Sequence, residues 1–190
     1  MRIFLSTIEH FANTDPALSD ERRAEEYARA KSSVRRREIL AGAGLLRHAL
    51  AESSFAVPEG PLPVRYTDEG KPYLADGPCY SISHSGELIA CAIAEEPVGL
   101  DIERVSRFTG TKVARKILNE AEMTAYRALP DHAAARYLAD VWTAKEAIAK
   151  LLGKGITIPF DELRMCGYRM TVWSCLHEGE EYFVRTARMR

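Results

Sequence analysis

The sequence predicts an α+β protein in which two similar halves each run from a strand through helices to a small group of strands. Three observations support this. A short apolar segment opens each half, segments with apolar residues at helical spacing follow it, and further short apolar segments end it. The segment Glu95-Glu96-Pro97 interrupts the chain near its midpoint. We therefore expect one half over residues 1–96 and a second over residues 97–190.

The first half opens with an expected strand from Arg2 to Ile8. A helical pattern starts near Leu18, where Ser19 or Asp20 is a candidate N-cap. A second helix is expected from Val34 to about Phe55, because its apolar residues recur at near-helical spacing.

The remainder of the first half is expected to form strands. Proline and glycine mark Val57–Pro63 as a loop. Three strands are expected after it, at Val64–Thr67, Tyr80–Ser83 and Leu88–Ala94. Ser85-Gly86-Glu87 joins the last two and fits a hairpin turn.

The second half begins with an expected strand from Val98 to Ile102. Asn119 and Glu122 have the spacing of a capping box for a helix that ends near Leu129. The next helix is expected from Pro130-Asp131 to Leu152, with Gly153 as its stop. Three final strands are expected, at Leu163–Tyr168, Met170–Ser174 and Tyr182–Ala187.

The bulk composition is that of an ordinary globular protein, and it argues against a general affinity for polyanions. With 26 Lys and Arg against 27 Asp and Glu, the formal net charge is −1. Basic residues cluster between Arg22 and Arg47, including Arg35-Arg36-Arg37. Both a solvated helix face and a patch that faces a phosphate fit this cluster.

The cysteines and apolar segments indicate a reducing compartment. The four cysteines lack C-x-x-C spacing, so neither a zinc site nor a disulfide framework is expected. The N-terminus lacks a signal-peptide apolar segment, and the longest apolar run, Leu88–Ala94, is too short to span a membrane. We expect a cytoplasmic protein that binds neither membrane nor nucleic acid. The cysteines are Cys79, Cys91, Cys166 and Cys175.

Asp101 and Glu103 are the strongest candidates for a metal site. They are two residues apart in an apolar stretch, so a strand would place both carboxylates on one face. Exposed acids on an edge strand are the simpler alternative. The apolar neighbours indicate a packed strand instead, and paired carboxylates there suit Mg²⁺, with Mn²⁺ as a second possibility.

A second candidate group lies in the segment from Trp142 to Lys150. Glu146 and Lys150 are four residues apart, so they share one helix face with Trp142. A surface ion pair would explain Glu146 and Lys150 equally well. The apolar residues around them favour a buried helix, and Glu146 is the best candidate base for an attacking hydroxyl.

A third group consists of His84 and the turn Gly70-Lys71-Pro72. His84 is expected in a loop between two strands, where Ser81, Ser83 and Ser85 allow close approach of phosphate oxygens. A capped turn with a surface histidine is the alternative. A serine hydrolase is excluded because the G-x-S-x-G elbow is absent.

These segments, in this order and spacing, resemble the 4'-phosphopantetheinyl transferases, specifically the Sfp-like monomeric class. The resemblance runs from about Arg36 to Phe160 and includes Ile39-Leu40-Ala41-Gly42 and Gly153-Lys154-Gly155. It implies two halves related by a pseudo-twofold axis, a site between them, and a monomer.

The resemblance also implies roles for individual residues. The implied metal ligands are Asp101, Glu103 and Glu146. The implied catalytic residues are Glu146, Lys150 and His84. The implied coenzyme A contacts are Lys71, Pro72, Ser83, His84, Lys145, Lys150 and Arg37, with Arg22 and Arg23 as looser candidates. Glu122 matches a further acid of some relatives, although its capping role explains it fully.

The implied reaction is Mg²⁺-dependent transfer of the 4'-phosphopantetheine group from coenzyme A to a serine of an acyl or peptidyl carrier protein. Carriers of this family are small, acidic helical bundles, and Thr111–Leu118, which alternates basic and apolar residues, is a candidate docking surface. Two alternatives remain open: a metal-dependent hydrolase of nucleotide pyrophosphates, and a non-catalytic module that binds coenzyme A or a carrier.

Overall fold

The structure is a computed structural model that describes residues 1–155 and 158–190, without the side chain of His132. The chain forms two compact units, Met1–Val98 and Gly99–Arg190. We call them the N-terminal unit and the C-terminal unit and describe each by itself. Both contain helices and strands, so the predicted α+β class is confirmed. None of the helices in the described ranges is both long and apolar enough to cross a membrane.

The N-terminal unit packs one long helix against a small antiparallel sheet. Its elements are β1 (Arg2–Thr7), α1 (Ile8–Phe11), α2 (Glu21–Arg29), α3 (Ser33–Glu52), β2 (Val64–Tyr66), β3 (Pro72–Leu74), β4 (Cys79–Ser85) and β5 (Leu88–Ala94). The sheet has the order β1-β5-β4, and β2 and β3 form a separate pair. Helix α3 buries Leu45 and Leu46, which pack with Ile89 and Cys91 of β5 in one hydrophobic core.

The predicted helix starts of this unit are confirmed. Asp20 is the N-cap of α2 and accepts a hydrogen bond from the Arg23 backbone N–H at 3.2 Å. Ser32 caps α3 in the same way. Each cap satisfies a backbone donor that would otherwise lack a partner in the first helical turn.

Two expectations for the strands of this unit are wrong. Strand β3 was not expected, because Pro72 looks like a turn residue, yet it starts the strand that pairs with β2. Strand β4 extends to Ser85, so His84 lies in a strand and not in a loop. The cause is the register of the β4–β5 hairpin, which pairs β4 along its full length and leaves Gly86, with a φ of 56°, in the turn.

The C-terminal unit packs a 22-residue helix against a second antiparallel sheet. Its elements are β6 (Gly99–Arg104), a 3-10 helix (Val105–Phe108), α4 (Ala114–Ile117), α5 (Glu120–Arg127), α6 (Asp131–Leu152), β7 (Tyr168–His177) and β8 (Glu180–Met189). The sheet order is β6-β8-β7.

The predicted capping box at the start of α5 and the predicted glycine stop at the end of α6 are both confirmed. Asn119 and Glu122 form the capping box of α5. Helix α6 runs from Asp131 to Leu152 and ends at Gly153, whose left-handed φ of 74° suits glycine.

One expectation for this unit is wrong. No strand covers the expected segment Leu163–Tyr168 within the described residues; Met165–Gly167 forms a 3-10 turn and β7 starts at Tyr168. The candidate docking surface Thr111–Leu118 contains a single helical turn, α4, whose buried residues are Ala114 and Ile117.

Candidate functional site

The two strand acids are both buried in the C-terminal unit. Asp101 and Glu103 are 3% and 5% exposed on β6. The alternation of a strand places them on one face, while Leu100 and Ile102 fill the other. A buried carboxylate requires a compensating charge or hydrogen bonds, so the partners of these two acids define the site.

The partner of Asp101 comes from α6. Lys150 Nζ donates a hydrogen bond to Asp101 Oδ1 at 2.7 Å. The lysine side chain is 29% exposed, against 4% for the aspartate. The predicted metal ligand and the predicted catalytic lysine are therefore in direct contact.

Trp142 and Arg107 both contact the same oxygen of Glu103. Trp142 Nε1 donates to Glu103 Oε1 at 3.0 Å, and Arg107 of the 3-10 helix forms an ion pair with that oxygen. The role of Trp142 as an orienting donor was not predicted, and Arg107 was missed altogether. The signal that could have found Arg107 is its spacing of four residues from Glu103 across the end of a strand.

Glu146 lies near both strand acids. Its pKa is raised from 4.5 to about 7, first by burial and then by the negative charge of Asp101, while Lys150 acts in the opposite direction. A carboxyl group with a pKa near neutrality can both accept and donate a proton at physiological pH. This property fits the predicted role of a base.

The donor chemistry of these three acids fits a hard divalent cation. All the candidate ligand atoms of Asp101, Glu103 and Glu146 are carboxylate oxygens, which Mg²⁺ and Mn²⁺ prefer. The electrostatic effect of Asp101 and Glu103 on Glu146 shows that the acids repel one another. A bound cation would relieve this repulsion.

Lys145 has a different environment from the one that was expected for a phosphate ligand. Its side chain is fully buried, and its ammonium group donates to Ile117 O, Glu122 Oε2 and Phe160 O at 2.6–2.7 Å. These bonds use all three N–H donors of the ammonium group. In this structure Lys145 ties α6 to the neighbouring segments, and its contact with coenzyme A stays a prediction.

The N-terminal unit contains a cleft of about 260 Å³ that collects most of the other predicted residues. Pro72 and His84 line it, as do Arg22 and Arg23. The remaining lining residues are Glu26, Arg35, Glu38, Ile39, Gly42, Tyr66, Gly70, Ile82 and Ile89.

The arginines of this cleft are paired with acids. Arg23 contacts Asp20 at 3.2 Å, and Arg22 contacts Glu26 at 3.5 Å. Arg35 lies 3.3 Å from Glu26 and 3.3 Å from Glu38. The cleft is therefore rich in guanidinium groups but close to neutral in charge.

An aromatic ring completes one wall of the cleft. The Arg22 guanidinium lies 4.6 Å from the centre of the Tyr66 ring, in a cation–π arrangement. The Tyr66 hydroxyl donates to Asp20 at 2.7 Å, which fixes the ring. Burial, followed by this hydrogen bond, raises the pKa of Tyr66, so it stays neutral.

Strand β4 presents His84 and Ser83 to opposite faces. His84 lies in the cleft, with Nδ1 3.8 Å from Glu38 Oε1. Ser83 is buried on the other face of the strand. The sequence predicted Ser83 at the end of a strand and His84 in the loop after it, with both close to phosphate oxygens.

Lys71 lies in the predicted turn, which is confirmed. Its backbone N–H donates to Thr67 Oγ1 at 3.2 Å, and Gly70 has a φ of 86°. Burial lowers the pKa of Lys71. The lysine contact with a nucleotide stays a prediction.

Arg37 points away from the cleft. Among the described residues Arg35, and not Arg37, lines it, whereas Arg37 forms an ion pair with Glu9. Residues two apart on a helix point in nearly opposite directions, so the sequence alone did not show which arginine of Arg35-Arg36-Arg37 faces inward.

The fold and the buried acids define an α+β protein with a carboxylate site suited to a divalent cation. Residues 97–184 match the family model described as "4'-phosphopantetheinyl transferase superfamily". The chain is 29% identical over 152 residues to the 4'-phosphopantetheinyl transferase gsp of Aneurinibacillus migulanus, covering 80% of this chain and 62% of that relative. It is 32% identical over 94 residues to 4'-phosphopantetheinyl transferase Sfp of Bacillus subtilis (strain 168). This match covers 48% of this chain and 42% of that relative.

The chain is thus similar to Sfp-like members of the 4'-phosphopantetheinyl transferase superfamily, whose family model matches residues 97–184. It spans about three fifths or less of the length of these curated relatives. A solved structure, a holo-(acyl-carrier-protein) synthase from Bacillus anthracis str. Ames in complex with CoA (3',5'-ADP), is 20% identical with a TM-score of 0.39, over 48% of this chain and 93% of that chain. At that score the likeness carries no conclusion about the fold.

Proposed function

We propose that this protein transfers the 4'-phosphopantetheine group of coenzyme A to a serine of an acyl or peptidyl carrier protein. One observation carries the proposal: Asp101 and Glu103 are buried on β6 beside Glu146 of α6, inside the region that matches the family model. Buried, mutually repelling carboxylates are costly for a fold unless they bind a cation. This cost favours a functional origin.

We further propose that Asp101, Glu103 and Glu146 hold Mg²⁺. When bound, the cation neutralises pyrophosphate oxygens as negative charge builds on the leaving phosphate. Lys150, released from or shared with Asp101, would add a second positive group at the same place.

In this proposal the carrier serine oxygen forms a bond to the β-phosphorus of coenzyme A. The bond from that phosphorus to the bridging oxygen breaks, and adenosine 3',5'-bisphosphate leaves. The serine proton passes to Glu146, the candidate base of the site. No oxidant or reductant is required.

The cleft of the N-terminal unit is the proposed seat for the nucleotide end of coenzyme A. Arginine side chains recognise phosphate by paired hydrogen bonds, and the rim of the cleft contains Gly70 and Pro72 of the turn. His84 supplies an imidazole in the same cleft. Contacts of Ser83 and Arg37 with coenzyme A are not supported by this cleft.

The test is a transfer assay with coenzyme A, Mg²⁺ and several purified apo-carriers, read by mass spectrometry of the carrier. We expect a mass gain of one phosphopantetheine group, loss of the gain with EDTA, and recovery with Mg²⁺ or Mn²⁺. Asp101→Asn should reduce the rate by orders of magnitude because it weakens a cation ligand while preserving shape.

Asp140→Asn is the matched control. Asp140 is another acid of the C-terminal unit, on the same helix as Glu146, but it pairs with Arg185 at 2.6 Å. It should keep full activity. Release of free phosphopantetheine without modification of any carrier would point instead to a hydrolase, and full activity of metal-free Asp101→Asn would refute the cation site.

A further inference from the structure

Arg107 holds an unusual position for a surface arginine. Its side chain is 53% exposed, yet it pairs with Glu103, whose side chain is only 7% exposed. The pair is therefore asymmetric: the acid is fixed inside the unit, and the base reaches it from solvent.

The guanidinium group of Arg107 packs against two aromatic rings. Its central carbon lies 5.5 Å from the Trp142 ring centre and 5.6 Å from the Phe108 ring centre. The same Trp142 donates its indole N–H to Glu103 Oε1. Glu103, Arg107 and Trp142 thus each contact the other two. They lie at the edge of the acidic site, by which we mean Asp101, Glu103 and Glu146.

The position of Arg107 has a simple electrostatic reason. A carboxylate that is buried beside other acids needs a positive partner, and Arg107 supplies one to Glu103 as Lys150 does to Asp101. A divalent cation bound to Glu103 would satisfy the same need. Two positive groups around one carboxylate oxygen repel each other, so arginine and cation compete.

We propose that Arg107 is an internal counter-ion of the acidic site that leaves Glu103 when a divalent cation binds, and that it thereby sets the cation affinity. The inference rests on the cation site of the proposed function. Arg107 is a positioning residue in this account: it acts through Glu103 and touches neither substrate nor reacting atoms. Its high exposure lets the released guanidinium return to water at little cost.

The main test measures Mn²⁺ binding to metal-free protein by electron paramagnetic resonance. Arg107→Met has no ion pair to break before the cation binds, so it should bind Mn²⁺ about two- to fivefold more tightly than wild type. Asp101→Asn should abolish this binding, which places the measured ion at the proposed site. Arg107→Lys, which keeps the charge but loses the planar stack, should fall between wild type and Arg107→Met.

Arg136 offers a matched control in the same unit. Its side chain is 55% exposed, pairs with Glu181 at 3.0 Å, and lies 5.0 Å from the Phe183 ring centre. Arg136→Met therefore removes an equivalent exposed charge and stack, but one whose ion-pair partner is Glu181 and not one of the three acids. Its Mn²⁺ affinity should equal that of wild type.

Two further measurements do not depend on activity. The rise in melting temperature caused by a fixed Mg²⁺ concentration should be larger for Arg107→Met than for wild type. In a Trp173→Phe background, Mg²⁺ should change the fluorescence of Trp142 as the guanidinium leaves its ring. This change should shrink when Arg107→Met is added.

Unchanged or weaker Mn²⁺ affinity in Arg107→Met would overturn the inference, and so would the absence of Mn²⁺ binding in both proteins. The carrier assay reports separately on the proposed function. A protein that modifies carriers with Mg²⁺ but binds Mn²⁺ equally with and without Arg107 would keep the function and lose this role of Arg107.

Discussion

Lys145 and Glu146 are neighbours in the chain, yet α6 turns their side chains into opposite environments. Successive helical residues point about 100° apart, so Lys145 enters the core while Glu146 faces the strand acids. Both were predicted to act at the site. The structure assigns the lysine a set of internal bonds and leaves the glutamate beside the acids.

The first prediction separates a structural role of Lys145 from a role in binding coenzyme A. Lys145→Met should lower the free energy of unfolding by about 3 kcal/mol, because Glu122 and two backbone carbonyls lose their buried partner. Urea denaturation measures this change. Adding Glu122→Gln to Lys145→Met should recover part of it, since the uncompensated buried charge is then removed.

Lys116→Met is the control for this prediction, because Lys116 is exposed in α4. It should leave stability unchanged. If Lys145→Met kept wild-type stability and weakened only the binding of coenzyme A, Lys145 would be a phosphate ligand, as the sequence suggested.

The second prediction concerns the pH dependence of metal-free protein. The pKa of Glu146 is about 7 in the folded protein, whereas an ordinary glutamate, as in the unfolded chain, has a pKa of 4.5. The folded state therefore binds the proton more tightly than the unfolded state. Stability should therefore fall as pH rises from about 4.5 through 7. Glu146→Gln cannot ionise, so in EDTA it should exceed wild type by about 1–2 kcal/mol at pH 8, with a smaller difference at pH 5.5.

Chemical denaturation of both proteins at the two pH values checks this expectation. Glu25→Gln serves as a control, because Glu25 is an exposed acid paired with Arg29 on α2. Saturating Mg²⁺ should favour wild type over Glu146→Gln at pH 8. Equal pH profiles for wild type and Glu146→Gln would mean that Glu146 ionises normally.

Single residues show where sequence reasoning succeeds and where it stops. The face shared by Asp101 and Glu103 follows from strand alternation, which is local and was predicted. The bond of Trp142 to Glu103 joins residues 39 positions apart, and the choice of Arg35 over Arg37 depends on the rotation of α3. Such facts depend on packing between elements, which no local pattern contains.

At the scale of elements, the close approach of β6 and α6 brings the acids and Glu146 together. A Cβ atom on Gly99 would lie 1.9 Å from the Ala147 carbonyl oxygen and 2.5 Å from the Leu151 nitrogen. The strand and the helix are therefore nearer than any side chain at position 99 would allow.

The third prediction is that Gly99→Ala forces these elements apart. It should lower the free energy of unfolding by about 2–3 kcal/mol, because backbone atoms must move to admit the methyl group. It should also weaken Mn²⁺ binding, since the distance from the strand acids to Glu146 increases. Gly167→Ala is the control, because no heavy atom lies within 4 Å of its added Cβ.

Denaturation and Mn²⁺ titration of the two variants give the comparison. Wild-type stability and affinity in Gly99→Ala would show that β6 and α6 tolerate separation. The site would then not depend on their close approach.

The fourth prediction concerns docking of the carrier. Arg115 and Lys116 are exposed on α4, and Arg115 lines an open cleft of about 500 Å³ together with Arg127 and Met123. An acidic carrier helix would find charge and apolar surface side by side there. Arg115→Glu with Lys116→Glu should raise the KM for the carrier, and added salt should reduce the difference, because exposed charges are screened over about 8–10 Å.

Steady-state kinetics at low and high salt test the docking surface. Coenzyme A affinity should remain unchanged in the double variant. Arg29→Glu with Lys31→Glu, an exposed reversal in the N-terminal unit, is the matched control. Equal carrier KM for wild type and the α4 variant at low salt would place docking elsewhere.

Element boundaries were predictable where a cap or a breaker marks them. Asp20, Asn119 and Gly153 each define a helix end by a local hydrogen bond or a left-handed backbone. The short strand β3 and the single turn α4 lack such marks. Their form depends on the partner strand and on the buried contacts of Ile117, so the sequence did not specify them.

At the scale of the whole molecule, the predicted residues divide between the two units. The acids, Lys145 and Lys150 belong to the C-terminal unit, and Lys71, Pro72, Ser83, His84 and Arg37 to the N-terminal unit. The motifs in the sequence identified the candidate residues of each unit. The expected site between two halves related by a pseudo-twofold axis stays a prediction.

The last prediction uses the cysteines to compare the packing of the two units in solution. Cys91 is fully buried in β5, and burial raises the pKa of its thiol to about 12, so almost no thiolate exists at pH 7.5. Cys166 is exposed in the 3-10 turn of the C-terminal unit. A disulfide reagent should therefore modify Cys166 rapidly in native protein and reach Cys91 only when the N-terminal unit opens.

Cys166→Ser should remove the fast phase of labelling. Cys91→Ala should leave that phase intact and lower by one the number of thiols that react in denaturant. Peptide mapping during a urea titration then reports the opening of the N-terminal unit through Cys91, and rapid native labelling of Cys91 would contradict the packing of α3 on the β1-β5-β4 sheet.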